Sequence, residues 1–191
     1  MTGGVVWITG LAGSGKSTVA QLLRHRLEDR SPVLLDGDRL RGVLPYRPGH
    51  SAGERRRLAL FYARLACELA TQGHLVLCAT VSLFHEVHAW NRAHAPGYVE
   101  VWLRVPLDEL RLRGARPHLY GPADGRGGDA DTVGVGIPAE FPVRPDLAID
   151  NYGDVTPVVA ADRIAALLAV RAPRPSAPAP GEAPPCPAST R

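Results

Sequence analysis

The chain is nearly without lysine. Of its 22 Lys and Arg side chains only Lys16 is a lysine, which leaves 21 arginines. Cysteine is also scarce: Cys67, Cys78 and Cys186 are odd in number, far apart and without a C-x-x-C pair. That pattern argues against both a disulfide framework and a zinc site, so a reducing, cytoplasmic setting is expected. No apolar run reaches the roughly 18–20 residues that a membrane span requires. Met1-Thr2-Gly3-Gly4 lacks the positively charged lead of a signal peptide. Excess charge is small as well. The formal net charge is +3, and Arg171, Arg174 and Arg191 against Glu182 account for +2 of it. A nucleic-acid partner, which calls for clustered cations on the folded domain, is therefore not expected.

What is present is a chain of 191 residues, 45% hydrophobic and 21% charged, with 20 Gly and 18 Pro. One ordinary domain fits this length. Seven of the prolines fall in residues 171–191 among Ala and Ser. The expectation is a domain over residues 1–170 followed by a disordered Pro-rich tail over 171–191. Val5-Val6-Trp7-Ile8-Thr9 is a short apolar, β-branched run of the kind buried in a parallel sheet. From Ser17 the pattern turns helical, with Val19, Leu22, Leu23 and Leu27 on one face. Further strands are read at 33–36, 74–80, 98–105 and 147–149. Further helices are read at 54–71 (Leu58, Phe61, Leu65 and Leu69 inward), 84–93, 106–113 and 157–170. This alternation predicts an α/β fold, a parallel sheet of about five strands with helices on both faces. Residues 114–140 are glycine-rich and lack periodicity, and are read as a lid.

Gly10-Leu11-Ala12-Gly13-Ser14-Gly15-Lys16-Ser17 matches G-x-x-x-x-G-K-[ST] at every position. Glycines at these places let backbone N–H groups turn toward phosphate oxygens, and the lysine reaches the β- and γ-phosphates. The Ser17 hydroxyl is suited to Mg²⁺, and the start of the following helix adds its positive end. The cofactors expected are therefore ATP and Mg²⁺. A guanine-reading Asn/Thr-Lys-x-Asp motif needs a second lysine, which the chain lacks, so a GTPase is not expected.

Asp36-Gly37-Asp38 follows directly on the second strand. Carboxyl ends of parallel strands face the ligand crevice, so Asp36 is placed to take a proton from an acceptor hydroxyl or to help hold Mg²⁺. The alternative is an Asp-Gly turn in which Asp38 caps the next short helix. Arg41 and Arg55 are the arginines expected to grip an anionic acceptor. Arg56 and Arg57 read as a solvated helix start. His85 and His88, at i and i+3, do not have the i and i+4 spacing of a helical zinc pair and read as helix-face residues. Trp7, Trp90 and Trp102 read as core or rim aromatics.

Over about residues 4–170 the chain resembles the adenylylsulfate (APS) kinase family. The resemblance rests on Ile8 to Thr18, on Leu35-Asp36-Gly37-Asp38 with Arg41, and on Val99-Glu100-Val101 leading to Val105-Pro106-Leu107. It continues through Leu119-Tyr120, Val133 to Pro142, Pro145-Asp146-Leu147 and Asp150-Asn151. It implies transfer of the ATP γ-phosphate to the 3′-hydroxyl of APS, with Lys16 and Asp36 catalytic. Residues 10–18 and Arg113 are implied to bind ATP. Asp38, Arg41, Arg55, Ser82 and Arg116 are implied to bind the acceptor, and a homodimer is implied. Departures lie on the acceptor side. Arg39 stands for the family's asparagine, and its Ser-Pro-Tyr-Arg loop appears as Val81-Ser82-Leu83-Phe84-His85-Glu86. The chain is in this respect similar to a subgroup that phosphorylates other nucleotides, cytidine diphosphoramidate among them. The alternative from another class is a nucleotide-binding regulator that lacks transfer chemistry.

Overall fold

The structure is a computed structural model that describes residues 3–114, 117–121 and 130–171. Five strands, β1 (Gly4–Thr9), β2 (Val33–Asp36), β3 (Leu75–Ala79), β4 (Val99–Arg104) and β5 (Leu147–Asp150), form one sheet in the order β2-β3-β1-β4-β5. All neighbouring pairs are parallel, with Val6 opposite Leu77 on one side and Val99 on the other. β1 is central and all six of its residues are buried. That explains a continuous apolar run rather than an alternating one: both faces of the strand are covered. Val6 and Ile8 pack with α1 (Lys16–Arg26) and α7 (Pro157–Val170), while Val5 and Trp7 pack with α3 (Ala52–Thr71) and α4 (His85–His94).

Short helices complete the chain: α2 (Gly37–Val43), α5 (Leu107–Leu112) and α6 (Pro117–Tyr120). The strand order reverses direction at β1, which puts a crevice at the carboxyl ends of β1, β2 and β3. Two sequence expectations change. The buried face of α3 is Leu58, Ala59, Tyr62, Ala63, Ala66 and Ala70, and Phe61 is 45% exposed. Small alanines let the helix lie close on β1 and β3, and this turns the bulkier Phe61 outward and Leu65 and Leu69 to the rim. Within the stretch read as a lid, residues 117–120 are helical. Tyr120, Val133 and Ile137 join Leu11, Leu83 and Leu110 in a small apolar cluster. The proposed tail beyond Arg171 and the lid residues 122–129 lie outside the described residues.

Candidate active site

The loop between β1 and α1 is held in a phosphate-cradling shape before any ligand is considered. Gly15 has φ +91°, and a Cβ there would lie 2.6 Å from Asn151 Nδ2. At Gly10 a Cβ would lie 2.5 Å from the Leu103 carbonyl oxygen. Only glycine fits both places. Three long-range contacts brace the loop: Asn151 Nδ2 donates to the Ser14 carbonyl at 2.8 Å, Tyr120 Oη donates to that of Ala12 at 2.7 Å, and Leu11 is buried in the small cluster. Lys16 is 8% exposed, and its ammonium donates to the Leu11 carbonyl at 2.7 Å. α1 starts without a side-chain cap, so its first amides face the loop.

Beside this loop lies the end of β2. Ser17 Oγ donates to Asp36 Oδ2 at 2.5 Å, while Asp36 Oδ1 accepts from the backbone N–H groups of Asp38 at 3.0 Å and Arg39 at 3.2 Å. Asp36, 7% exposed, is therefore the N-cap of α2. This corrects the alternative in which Asp38 caps the helix. β2 ends extended, with Asp36 at φ −102° and ψ 125°, so the strand's own last carboxylate turns back onto the new amides. Asp38 instead lines the crevice.

A cavity of about 290 Å³ opens here. The phosphate-loop residues Ala12, Gly13 and Gly15 to Thr18 line it, and Asp36 lines it as well. Arg41, Arg55, Ser82 and Phe84 line the same cavity. Arg41 Nη2 donates to the carbonyls of Pro48 at 2.7 Å and Gly49 at 2.9 Å; Arg55 Nε donates to that of His50 at 2.8 Å. Both arginines thus face the cavity and tie down the loop between α2 and α3. Tyr62 donates to the Gly37 carbonyl at 3.1 Å, and burial pushes its phenol well above the usual range. Ser82 is buried with φ +24°. Its hydroxyl pairs with Thr80 Oγ1 at 2.8 Å, and its carbonyl lies 3.0 Å from His88 Nε2. Burial lowers the His88 pKa, with the Glu100 carboxylate opposing.

Arg113 does not line this cavity. Its Nη2 donates to the Asn151 carbonyl at 2.6 Å, which places it behind the phosphate loop through the residue that braces Ser14. Arg116 lies outside the described residues. The bracing roles of Tyr120 and Asn151 have no mark in the sequence, because a contact spanning 137 positions, as from Asn151 to Ser14, leaves no local signal. For Mg²⁺, the Ser17 hydroxyl and Asp36 carboxylate form adjacent hard oxygen donors on the phosphate side of the cavity, which fits that cation.

A family model described as adenylylsulphate kinase matches residues 2–150. Cytidine diphosphoramidate kinase of Campylobacter jejuni is 37% identical over 152 residues, which span 77% of this chain and 85% of that protein. Adenylyl-sulfate kinase of Paraburkholderia xenovorans is 36% identical over 152 residues, 78% of this chain and 84% of that protein. Among solved structures, Mycobacterium tuberculosis APS kinase CysC in complex with AMPPNP and APS superposes with a TM-score of 0.75 at 30% identity, covering 88% of this chain and 98% of that one. The braced glycine loop, the carboxylate beside it and these likenesses agree: the chain belongs to the adenylylsulphate kinase family of ATP-dependent phosphotransferases.

Proposed function

We propose that this enzyme transfers the γ-phosphoryl group of ATP to the 3′-hydroxyl of a small nucleotide-like acceptor, with adenylylsulfate the first acceptor to test. The observation that carries the reading is the position of Asp36, bonded to Ser17 of the phosphate loop and lining the cavity that Arg41 and Arg55 also line. With Ser82 and Phe84, these arginines form the acceptor wall. The acceptor oxygen forms its bond to the γ-phosphorus as the bond to the β-bridging oxygen breaks, and ADP leaves. The hydroxyl proton passes to the Asp36 carboxylate. Lys16 and the loop amides balance the phosphate charge. Ser17 would hold Mg²⁺, which when bound would neutralise charge on the β- and γ-phosphates. Arg41 and Arg55 hold the acceptor's anionic end. Arg113, braced on Asn151, serves the ATP side. Resemblance to the family supports a homodimer, and the free cysteines Cys67 and Cys78 support a reducing, cytoplasmic setting.

A second acceptor, cytidine diphosphoramidate, is favoured by one observation. The family's Ser-Pro-Tyr-Arg runs here as Ser82-Leu83-Phe84-His85, and the His85 ring turns to the Phe141 carbonyl at 2.9 Å instead of presenting a guanidinium to an anion. Steady-state ADP release with each acceptor decides between them. Stimulation by adenylylsulfate alone supports the first reading, and stimulation by cytidine diphosphoramidate alone supports the second. No stimulation by either favours a nucleotide-binding regulator.

A further inference from the structure

Glu140 does not line the cavity, yet it contacts α3, the first residue of α4 and the loop between β3 and α4. Its backbone N–H donates to the Leu83 carbonyl at 3.1 Å, in the loop that carries Ser82 and Phe84. One carboxylate oxygen, Oε2, accepts from the His85 N–H at 2.6 Å, the first amide of α4. α4 has no side-chain cap of its own, because Phe84 holds the N-cap position, so a residue 55 positions away does that work. The other oxygen, Oε1, accepts from Arg56 Nη2 at 3.3 Å. Arg56 adjoins the cavity-lining Arg55, bonds Glu86 at 2.9 Å and lies 5.0 Å over the Phe84 ring. Next along the chain, the Phe141 carbonyl meets His85 Nε2 at 2.9 Å.

The segment that ends in Glu140 also reaches the donor side. Val133 lines the cavity, and Val133 and Ile137 pack with Leu11 of the phosphate loop and with Leu83. A carboxylate that fixes α3, the start of α4 and this segment at once sets the spacing between the acceptor wall and the phosphate loop. We infer that Glu140 is a positioning residue for the acceptor: it holds the wall formed by Arg55, Ser82 and Phe84 at the distance from the phosphate loop that in-line transfer needs. The inference rests on the kinase reading above, and it concerns acceptor binding in particular, because the Glu140 side chain bonds Arg56 of α3 and the His85 N–H of α4.

Two variants and two readouts test it. Glu140→Ala removes both side-chain contacts. Glu140→Gln keeps an oxygen for the His85 N–H and gives up the ion pair with Arg56. With adenylylsulfate and cytidine diphosphoramidate as probes, Glu140→Ala is expected to raise the acceptor KM about tenfold or more while the ATP KM stays within about twofold, and Glu140→Gln is expected to fall between. Equal rises in both KM values, or an unchanged acceptor KM, would overturn the inference. Hydrogen exchange on the full chain without ligand is the second readout. Amides of residues 81–86 and 132–141 are expected to lose protection in Glu140→Ala while those of α7 keep theirs; unchanged exchange at 81–86 would also overturn it. If the wild-type chain turns over neither probe, the acceptor assignment fails by itself, and the exchange result still decides whether Glu140 holds the wall.

Discussion

Asp36 combines two roles that a substitution can separate. It caps α2 through Oδ1, and it meets Ser17 through Oδ2. Asparagine retains an oxygen for the amides of Asp38 and Arg39 but cannot accept a proton as a carboxylate does. Asp36→Asn is therefore expected to keep near-native stability and ATP affinity while kcat falls by at least about 100-fold. Asp36→Ala loses the cap as well and is expected to be about 1 kcal/mol less stable than Asp36→Asn in chemical denaturation. Full turnover in Asp36→Asn would remove the carboxylate from the reaction. The place of Asp36 at a strand's end was legible in the sequence. Which of the two aspartates turns back as the cap was not, because Asp-Gly-Asp satisfies turn chemistry either way and the extended ψ of Asp36 decides it.

At the scale of elements, the phosphate loop was legible to the residue because a run of glycines between a buried strand and a helix has few other uses. Its braces were not. Asn151 follows β5 and Tyr120 ends α6, and both reach the loop only once the sheet has formed. Asn151→Ala would leave the Ser14 carbonyl without its side-chain donor and free the loop beside Gly15. The expected result is an ATP KM about tenfold higher with a small change in acceptor KM, measured by initial rates. An unchanged ATP KM would show that the loop holds its shape without this brace. Within α3, Phe61 alone of the residues expected inward turns outward, for a related reason. Periodicity favours large side chains as the inward face, whereas this helix approaches the sheet through Ala59, Ala63, Ala66 and Ala70.

Across the whole molecule, the parallel α/β class followed from apolar runs alternating with helical periods, each covered on both sides. The order β2-β3-β1-β4-β5 lies beyond local pattern, since it is set by pairing between strands far apart in the chain. One stability prediction belongs at this scale. His88 is buried against β4, where Glu100 faces its ring, with His85 on its own helix and Glu140 on the 132–141 segment nearby. Burial holds its pKa below the ordinary 6.5, so the unfolded chain binds this proton more readily than the folded one. The stabilising contribution is complete above about pH 6.5 and is lost as pH falls toward the depressed folded-state value. Urea midpoints are expected to drop on acidification from pH 7 to 5.5, and less steeply in His88→Gln; equal slopes would contradict this assignment. The central claim concerns the fate of the γ-phosphate, and it is tested most directly by incubating the wild-type chain with Mg²⁺ and ATP labelled with ¹⁸O at the γ-position. Mass spectrometry is then run on the products with each nucleotide acceptor. The account predicts one labelled phosphate on the acceptor for each ADP formed. Label found only in inorganic phosphate, at a rate indifferent to the acceptor, would contradict it.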